Sequence, residues 1–454
     1  MKYVLWGAVF LLACGDDDGA TDAAADTAVA EDAGGDTGGE DSGRDAARAD
    51  AAFDAGPDPE CGNGMCERGE SAASCADDCA PCRPLPDGAT DLEQQLAGLE
   101  ADTWLEVPNT AMSEVCDDDS PVRGVVGCEA IVSAWSGGTF DTSRNRMLIW
   151  GGGHNDYHGN EVYAFDVPSG TWMQLTEPTA TDHLDRDPLG DGNPVSRHTY
   201  EGVEYIAHAD VMWGHGGSRA ADGNGTDVTW TLDLSSLTWT NQAPAEPGPG
   251  GFTLASAYDP ASEAVFVRGT QDFYRYDLDD NTWTNLMNFG FPPEWPRYER
   301  SGDKTGVIDP TRDLFWSMGS GDIFVWDIAA STIVTGDWVT TGGGDYTNAD
   351  VVGDREEQLF ESGGATIYDA QAPGVDYDAA ADALVAWANR GGPWTLDLDA
   401  RVWTQGSGEG APISENSGGT FGRWRYISAY NVFILVNSAE ENVRFYKHTR
   451  CDGR

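Results

Sequence analysis

The chain has 454 residues, with 26 Lys and Arg against 77 Asp and Glu, a formal net charge of −51 at pH 7. Charge of that sign and size opposes binding to nucleic acid, polyphosphates and anionic membrane surfaces. Aromatic residues make up 10%, including 17 Trp, among 57 Gly and 22 Pro, which excludes a wholly disordered chain and points to short strands joined by frequent turns.

Lys2 precedes an apolar run over residues 3–13 that is too short to span a bilayer as a mature helix, and Leu11-Leu12-Ala13-Cys14 has the form of a lipobox. These residues resemble the start of bacterial lipoproteins. The resemblance implies a signal peptide over 1–13, lipidation of Cys14, and export to the cell envelope, at the outer membrane or cell surface, with the lipid as the only membrane attachment. Residues 14–60 hold fifteen acidic and two basic residues and one aromatic, Phe53. They carry too little apolar surface to offset ordering entropy, so a disordered acidic tether is expected.

Five cysteines crowd into 61–82, a Cys-rich module that resembles short modules of bacterial surface proteins. Its Asn63, Glu67, Glu70 and Asp78 offer oxygen ligands for Ca²⁺, with plain acidic turns as the alternative. Disulfides are the default in an exported chain. Cys116 and Cys128, twelve residues apart, form the expected local pair, and Cys82 with Cys451 is a candidate staple between the ends of the folded part. Residues 83–100 read as a linker.

From residue 101 to 448 the sequence repeats, and 449–454 form a tail. An aromatic residue, an Asp three positions on and a Trp six beyond the Asp recur at Tyr163/Asp166/Trp172, Trp230/Asp233/Trp239, Tyr274/Asp277/Trp283 and Trp394/Asp397/Trp403. A fifth copy, Phe324/Asp327, is expected to reach its Trp late, at Trp338, and a sixth begins at Phe445. Upstream of each lies an alternating apolar run, mostly preceded by an aromatic or Ile and then Asp, as in Phe140-Asp141 and Tyr258-Asp259. Each unit therefore reads as a four-stranded antiparallel blade, and blades bury both faces only by closing into a ring. The all-β β-propeller so predicted has six blades, with a seventh left open over 342–371. Residues 102–107 carry an outer strand with no blade before it, so they should complete the last blade.

The units resemble Kelch repeats of the galactose oxidase central-domain class, with Trp150-Gly151-Gly152-Gly153 and His215-Gly216-Gly217 as glycine doublets. That resemblance is specific for fold and weak for function. Copper-radical oxidase activity is unexpected, because such enzymes require a cysteine crosslinked to a tyrosine and no cysteine lies between Glu129 and Arg450. More remotely, a propeller face bearing His and Tyr resembles the ulvan-type polysaccharide lyases.

Six of the seven histidines (His154, His158, His183, His198, His208 and His215) lie within 62 residues. The predicted strand order brings those of blades one and two to one rim. In a lyase reading, His198 is the base that takes the C5 proton of a uronate, Tyr157 or Tyr200 the acid, and Arg197 or Arg268 the carboxylate neutraliser. In a metal reading, His154, Asp156 and His158, with His215, hold a divalent ion such as Zn²⁺. In a third, the rim binds a glycan or other extracellular ligand without chemistry, or only joins neighbouring blades. Trp135, Trp295 and Trp424 are candidate sugar-stacking residues, with Arg268, Arg390 and Arg423 as further contacts, whereas the periodic Trp residues read as inter-blade packing. The expected protein is a glycan-recognising monomer, with no nucleic-acid partner.

Overall fold

The computed structural model describes residues 85, 87–116, 122–179, 184–270, 272–288, 303–335, 339–340 and 365–450. The expected signal peptide, Cys14, the tether, the Cys-rich module with its Ca²⁺ ligands, and the Cys82–Cys451 pair lie outside these residues, as do His183 and Trp295. No helix among the described residues is long and apolar enough to cross a membrane.

Six antiparallel sheets follow one another along the chain. Blade 1 consists of Gly137–Asp141, Arg146–Trp150, Tyr163–Asp166 and Thr171–Gln174. Blade 2 consists of Val203–Ile206, Val211–His215, Thr229–Asp233 and Thr238–Asn241. Blade 3 consists of Ala255–Asp259, Ala264–Arg268, Asp272–Asp277 and Thr282–Asn288. Blade 4 consists of Thr305–Asp309, Leu314–Gly319, Asp322–Asp327 and Thr332–Thr335, plus the short strand Val339–Thr340. Blade 5 consists of Gly374–Asp378, Ala383–Trp387, Trp394–Asp397 and Val402–Gln405. Blade 6 takes Trp424–Ile427, Val432–Leu435 and Arg444–Lys447 from the end of the repeat region and its outermost strand, Thr103–Glu106, from the beginning.

That last strand closes the ring, pairing Thr103 with Lys447 and Trp104 with Tyr446. The innermost strands of blades 4 and 5 are direct neighbours, as are those of blades 6 and 1. A seventh blade over 342–371 therefore has no place in the ring, and the propeller is six-bladed.

Turn chemistry explains why the Asp-to-Trp spacing never varies. The Asp that ends each third strand accepts main-chain N–H groups two or three residues on: Asp166 from Ser169, Asp233 from Ser235 and Ser236, Asp397 from Asp399 and Ala400. Four residues after each such Asp the backbone is left-handed, at Gly170, Leu237, Asn281, Ser331 and Arg401, and two residues later the outer strand presents its packing residue. In blade 4 that residue is Ile333, paired with Trp326 as Trp283 is with Tyr276. The expectation of a longer turn reaching Trp338 is thus corrected: the turn keeps its length and Ile replaces Trp. Part of the acidity of the propeller is turn-forming Asp at a fixed place in each blade.

The tryptophans join blades. Trp150 on the second strand of blade 1 meets Trp239 of blade 2 at 4.9 Å between ring centroids, Trp213 of blade 2 meets Trp283 of blade 3 at 6.1 Å, and Trp387 of blade 5 meets Trp104 at 6.4 Å. Such pairs contribute about 0.5–1.5 kcal/mol each beyond area burial. Within the stretch expected to be a linker, Asp91–Ala97 is helical, because Thr90 and Glu93 form a capping box and Leu92, Leu96 and Leu99 present one apolar face to the core.

Candidate functional site

In this strand order, the loops between second and third strands share one face of the disc with the crossovers from each outer strand to the next inner strand. The segments carrying His154, His158, His198 and His215 fall there, whereas His208 lies in a turn on the opposite face. Between blades 6 and 1 the crossover also contains the short helix Ala130–Ser133 and the Cys116–Cys128 disulfide, which is formed as expected. This crossover supports the loop that carries His154 to His158: Val125 N–H donates to Asn155 O at 2.8 Å, Val126 N–H to Asp156 O at 3.0 Å, and His158 N–H to Val122 O at 2.8 Å. On its other side Asn155 N–H donates to Ala220 O of blade 2 at 2.5 Å.

His198 sits where three segments meet. The two-residue strand Arg197–His198 pairs with Ser218–Arg219, crossing above blade 2. The last glycines of the two Gly runs, Gly153 and Gly217, hold its backbone from opposite sides. A Cβ on Gly153 would lie 2.4 Å from His198 N, and one on Gly217 2.4 Å from His198 O, and both glycines have positive φ. Here the doublets are required by close main-chain approach as well as by conformation.

The imidazole of His198 is 3% exposed and Nε2 lies 3.2 Å from Asp156 Oδ2, the one hydrogen bond of the ring among the described residues, leaving Nδ1 for a ligand. Burial pushes its pKa below the ordinary histidine value, partly countered by Asp156, so the ring is neutral at pH 7. Trp135 stacks on it, with centroids 5.2 Å apart and planes inclined by 29°, while His154 and Tyr200 meet it edge-on at 5.7 and 6.0 Å. Tyr200 in turn contacts Phe421 and, with Ala372 and Trp135, forms a small apolar cluster of residues that lead into the innermost strands of four blades. Left-handed backbone at Trp135, Tyr200, Thr253, Ala372 and Phe421 recurs at these lead-in positions, so it belongs to the construction of the ring. His154 and Asn155, in the loop between second and third strands, are left-handed as well, at φ 39° and 67°.

The other candidates are placed differently. Tyr157 is 1% exposed and donates its hydroxyl to Glu161, whose carboxyl is raised by burial. Arg197 is equally buried and committed to Asp187 Oδ2 at 2.6 Å, Gly216 O and Val195 O, with its guanidinium over Trp150. Arg423 donates to Ser136 O, Val436 O and Gly419 O, and Arg268 to Gly269 O, both without solvent access. Trp424 is fully buried on Phe433. These residues hold blades and crossovers together, since a buried guanidinium must satisfy its donors internally. Arg390 is exposed and pairs with Glu415.

The expected metal set is not gathered either. His215 is 1% exposed with Nδ1 on Thr229 Oγ1 and Nε2 on Pro249 O, both at 2.9 Å, and His158 Nε2 is buried without a partner. Among the described residues, the His and carboxylate group whose ligand atoms do converge lies elsewhere, at His208, Glu263 and Asp279.

No family model matches the chain.

Sequence reasoning missed the groups beneath the rim. Asp303 accepts from Gln371 Nε2 at 2.5 Å and interacts with Trp135. Deeper in the central channel, Arg425 donates to Glu201 Oε1 at 3.1 Å and lies 3.7 Å from Glu204 Oε2. Burial raises the carboxyls of Glu201, Glu204 and nearby Asp376 despite that arginine. The available signal was position: each stands on or beside an innermost strand, where inward-facing residues line the channel.

Proposed function

We propose that this chain is an extracytoplasmic, Kelch-like propeller, lipid-anchored through Cys14, that recognises an extracellular glycan on the rim formed by Trp135, His154, Asp156, His198 and Tyr200. One observation carries the reading: a neutral imidazole with one ring nitrogen left for a ligand stands among aromatic rings and one half-exposed carboxylate. Aromatic faces stack on sugar rings, and an imidazole nitrogen with a carboxylate serves hydroxyl donors and acceptors. The nearby guanidiniums of Arg197 and Arg423 are spent on internal acceptors, so the rim offers little to neutralise a polyanion. A neutral, hydroxyl-rich glycan therefore fits better than a polyuronate.

The second reading is elimination chemistry on a uronate. It is favoured by the depressed pKa of His198, which keeps the ring competent as a base, with Tyr200 as the neighbouring acid. Both readings are tested by one panel of neutral glucans, mannans and galactans alongside alginate and polygalacturonate, scored for retention and for new absorbance near about 235 nm from unsaturated product. Retention of a neutral polymer without absorbance supports recognition. Absorbance with a uronate polymer, abolished in His198→Ala, replaces it with the lyase, and neither signal overturns both.

A further inference from the structure

On the opposite face, the turns between first and second strands form a repeated device at blade joints. In blade 4, Arg312 extends from this turn to blade 5, where it donates to both carboxylate oxygens of Asp382, at 2.8 and 3.0 Å, and to Asp399 at 3.1 Å. In blade 1, Arg144 makes the same bidentate contact to Asp210 of blade 2, at 2.6 and 2.5 Å, and reaches Ser235. Asp382 is the fourth residue after the Asp that ends its first strand, and Asp399 the second after the Asp that ends its third.

Blade 3 carries the same two acidic positions, Glu263 four residues after Asp259 and Asp279 two after Asp277. Among the described residues, no arginine of blade 2 stands in the turn that faces them. The turn is Ala207-His208-Ala209, and His208 Nε2, Glu263 and Asp279 each bring a ligand atom within 4.8 Å of the others. His208 Nε2 is 3.6 Å from Asp279 Oδ1, is buried, and has no hydrogen-bond partner. Its Nδ1 lies 2.8 Å from the Tyr258 hydroxyl, a contact that fixes the ring orientation and leaves Nε2 aimed at the carboxylates.

We infer that this joint is a binding site for a divalent transition metal, with His208 Nε2, Glu263 and Asp279 as ligands, the metal doing at joint 2/3 what a guanidinium does at joints 1/2 and 4/5. Two carboxylates and an imidazole are a nitrogen and oxygen donor set suited to Zn²⁺ and its neighbours, whereas Ca²⁺ takes oxygen ligands. Donors about 2.0–2.1 Å from a tetrahedral centre stand about 3.3 Å apart, close to the 3.6 Å between Nε2 and Asp279 Oδ1. Asp279 is 72% exposed, so the metal would be reached from solvent, with open positions for water.

The test is calorimetric titration of the metal-free full chain with Zn²⁺ and then Ca²⁺, for wild type, His208→Gln and Asp279→Asn. Asp279→Asn changes an exposed side chain and leaves the fold intact. The expected result is one zinc-binding event in wild type that weakens at least tenfold in both variants and is not displaced by Ca²⁺. Identical zinc isotherms in all three proteins, displacement by Ca²⁺, or no zinc binding would each overturn the assignment, leaving a simple His208–Asp279 contact.

Discussion

Acidification from pH 6.5 to pH 4 is expected to remove about 3 kcal/mol of stability through His215 alone. The ring is 1% exposed between Trp213 and Trp283, at 5.8 and 4.5 Å between centroids. Pro249 offers only a carbonyl, so Nε2 carries the proton and donates to it. Thr229 must then donate its hydroxyl to Nδ1 while accepting from Trp283 Nε1 at 3.3 Å. No site remains for a second proton, and burial pushes the pKa down to about 4 from the ordinary 6.5. Because the folded value lies below the unfolded one, the contribution is complete above pH 6.5 and lost as pH falls through the window between them, with no further loss below about pH 4. Glu201, Glu204 and Asp376, whose carboxyls are raised, have the opposite sign, so the comparison must be made between variants. His215→Gln keeps a donor for Pro249 and cannot charge. Urea unfolding across pH 4–7 should show a flatter pH dependence for this variant, by about 3 kcal/mol over the window. Parallel curves for the two proteins would refute the buried neutral assignment and reopen His215 as a ligand.

Gly153→Ala should displace His198, because the new Cβ meets His198 N at 2.4 Å and φ is +80°; a loss of about 1–3 kcal/mol is expected from backbone strain alone. Gly192→Ala, with φ +90° and nothing within 4 Å, separates strain from contact, and only the Gly153 variant should shift the His198 ring resonances in NMR. Trp104→Ala removes the ring that touches Trp387, Trp424 and Tyr446. For a half-buried Trp a loss of about 2–4 kcal/mol is expected, read as a lower urea midpoint for the whole propeller; an unchanged midpoint would mean that the closing strand does not hold the ring.

The repeat period and the closing strand were legible because each blade repeats one local solution: Asp at a strand end, left-handed backbone four residues on, an apolar residue at the sixth. Ile333 shows the limit of that reading, since the turn chemistry was the constant and the Trp only its usual occupant. The helix Asp91–Ala97 was missed, its residues read as a linker, although Thr90 and Glu93 form a capping box that the sequence carries. At the rim, strand order placed His154, Asp156, His198 and Tyr200 on one face. It could not say which charged side chains turn inward. Arg197 and Tyr157 lie in the same rim segments, yet their side chains are buried against Asp187 and Glu161, and only three-dimensional contact reveals such partners. The joint at His208, Glu263 and Asp279 was hidden for the same reason, its ligands coming from three turns of two blades.

The central claim, that the rim around His198 is a glycan-binding surface, is tested most directly by affinity for the best-retained polysaccharide of the panel in wild type, Trp135→Ala, His198→Ala and Arg390→Ala. The first two substitutions should each weaken binding at least tenfold, about 1.4 kcal/mol, while Arg390→Ala, an exposed change on the same face, leaves it unchanged. Equal affinity in all four proteins, or equal loss in all three variants, would contradict the assignment.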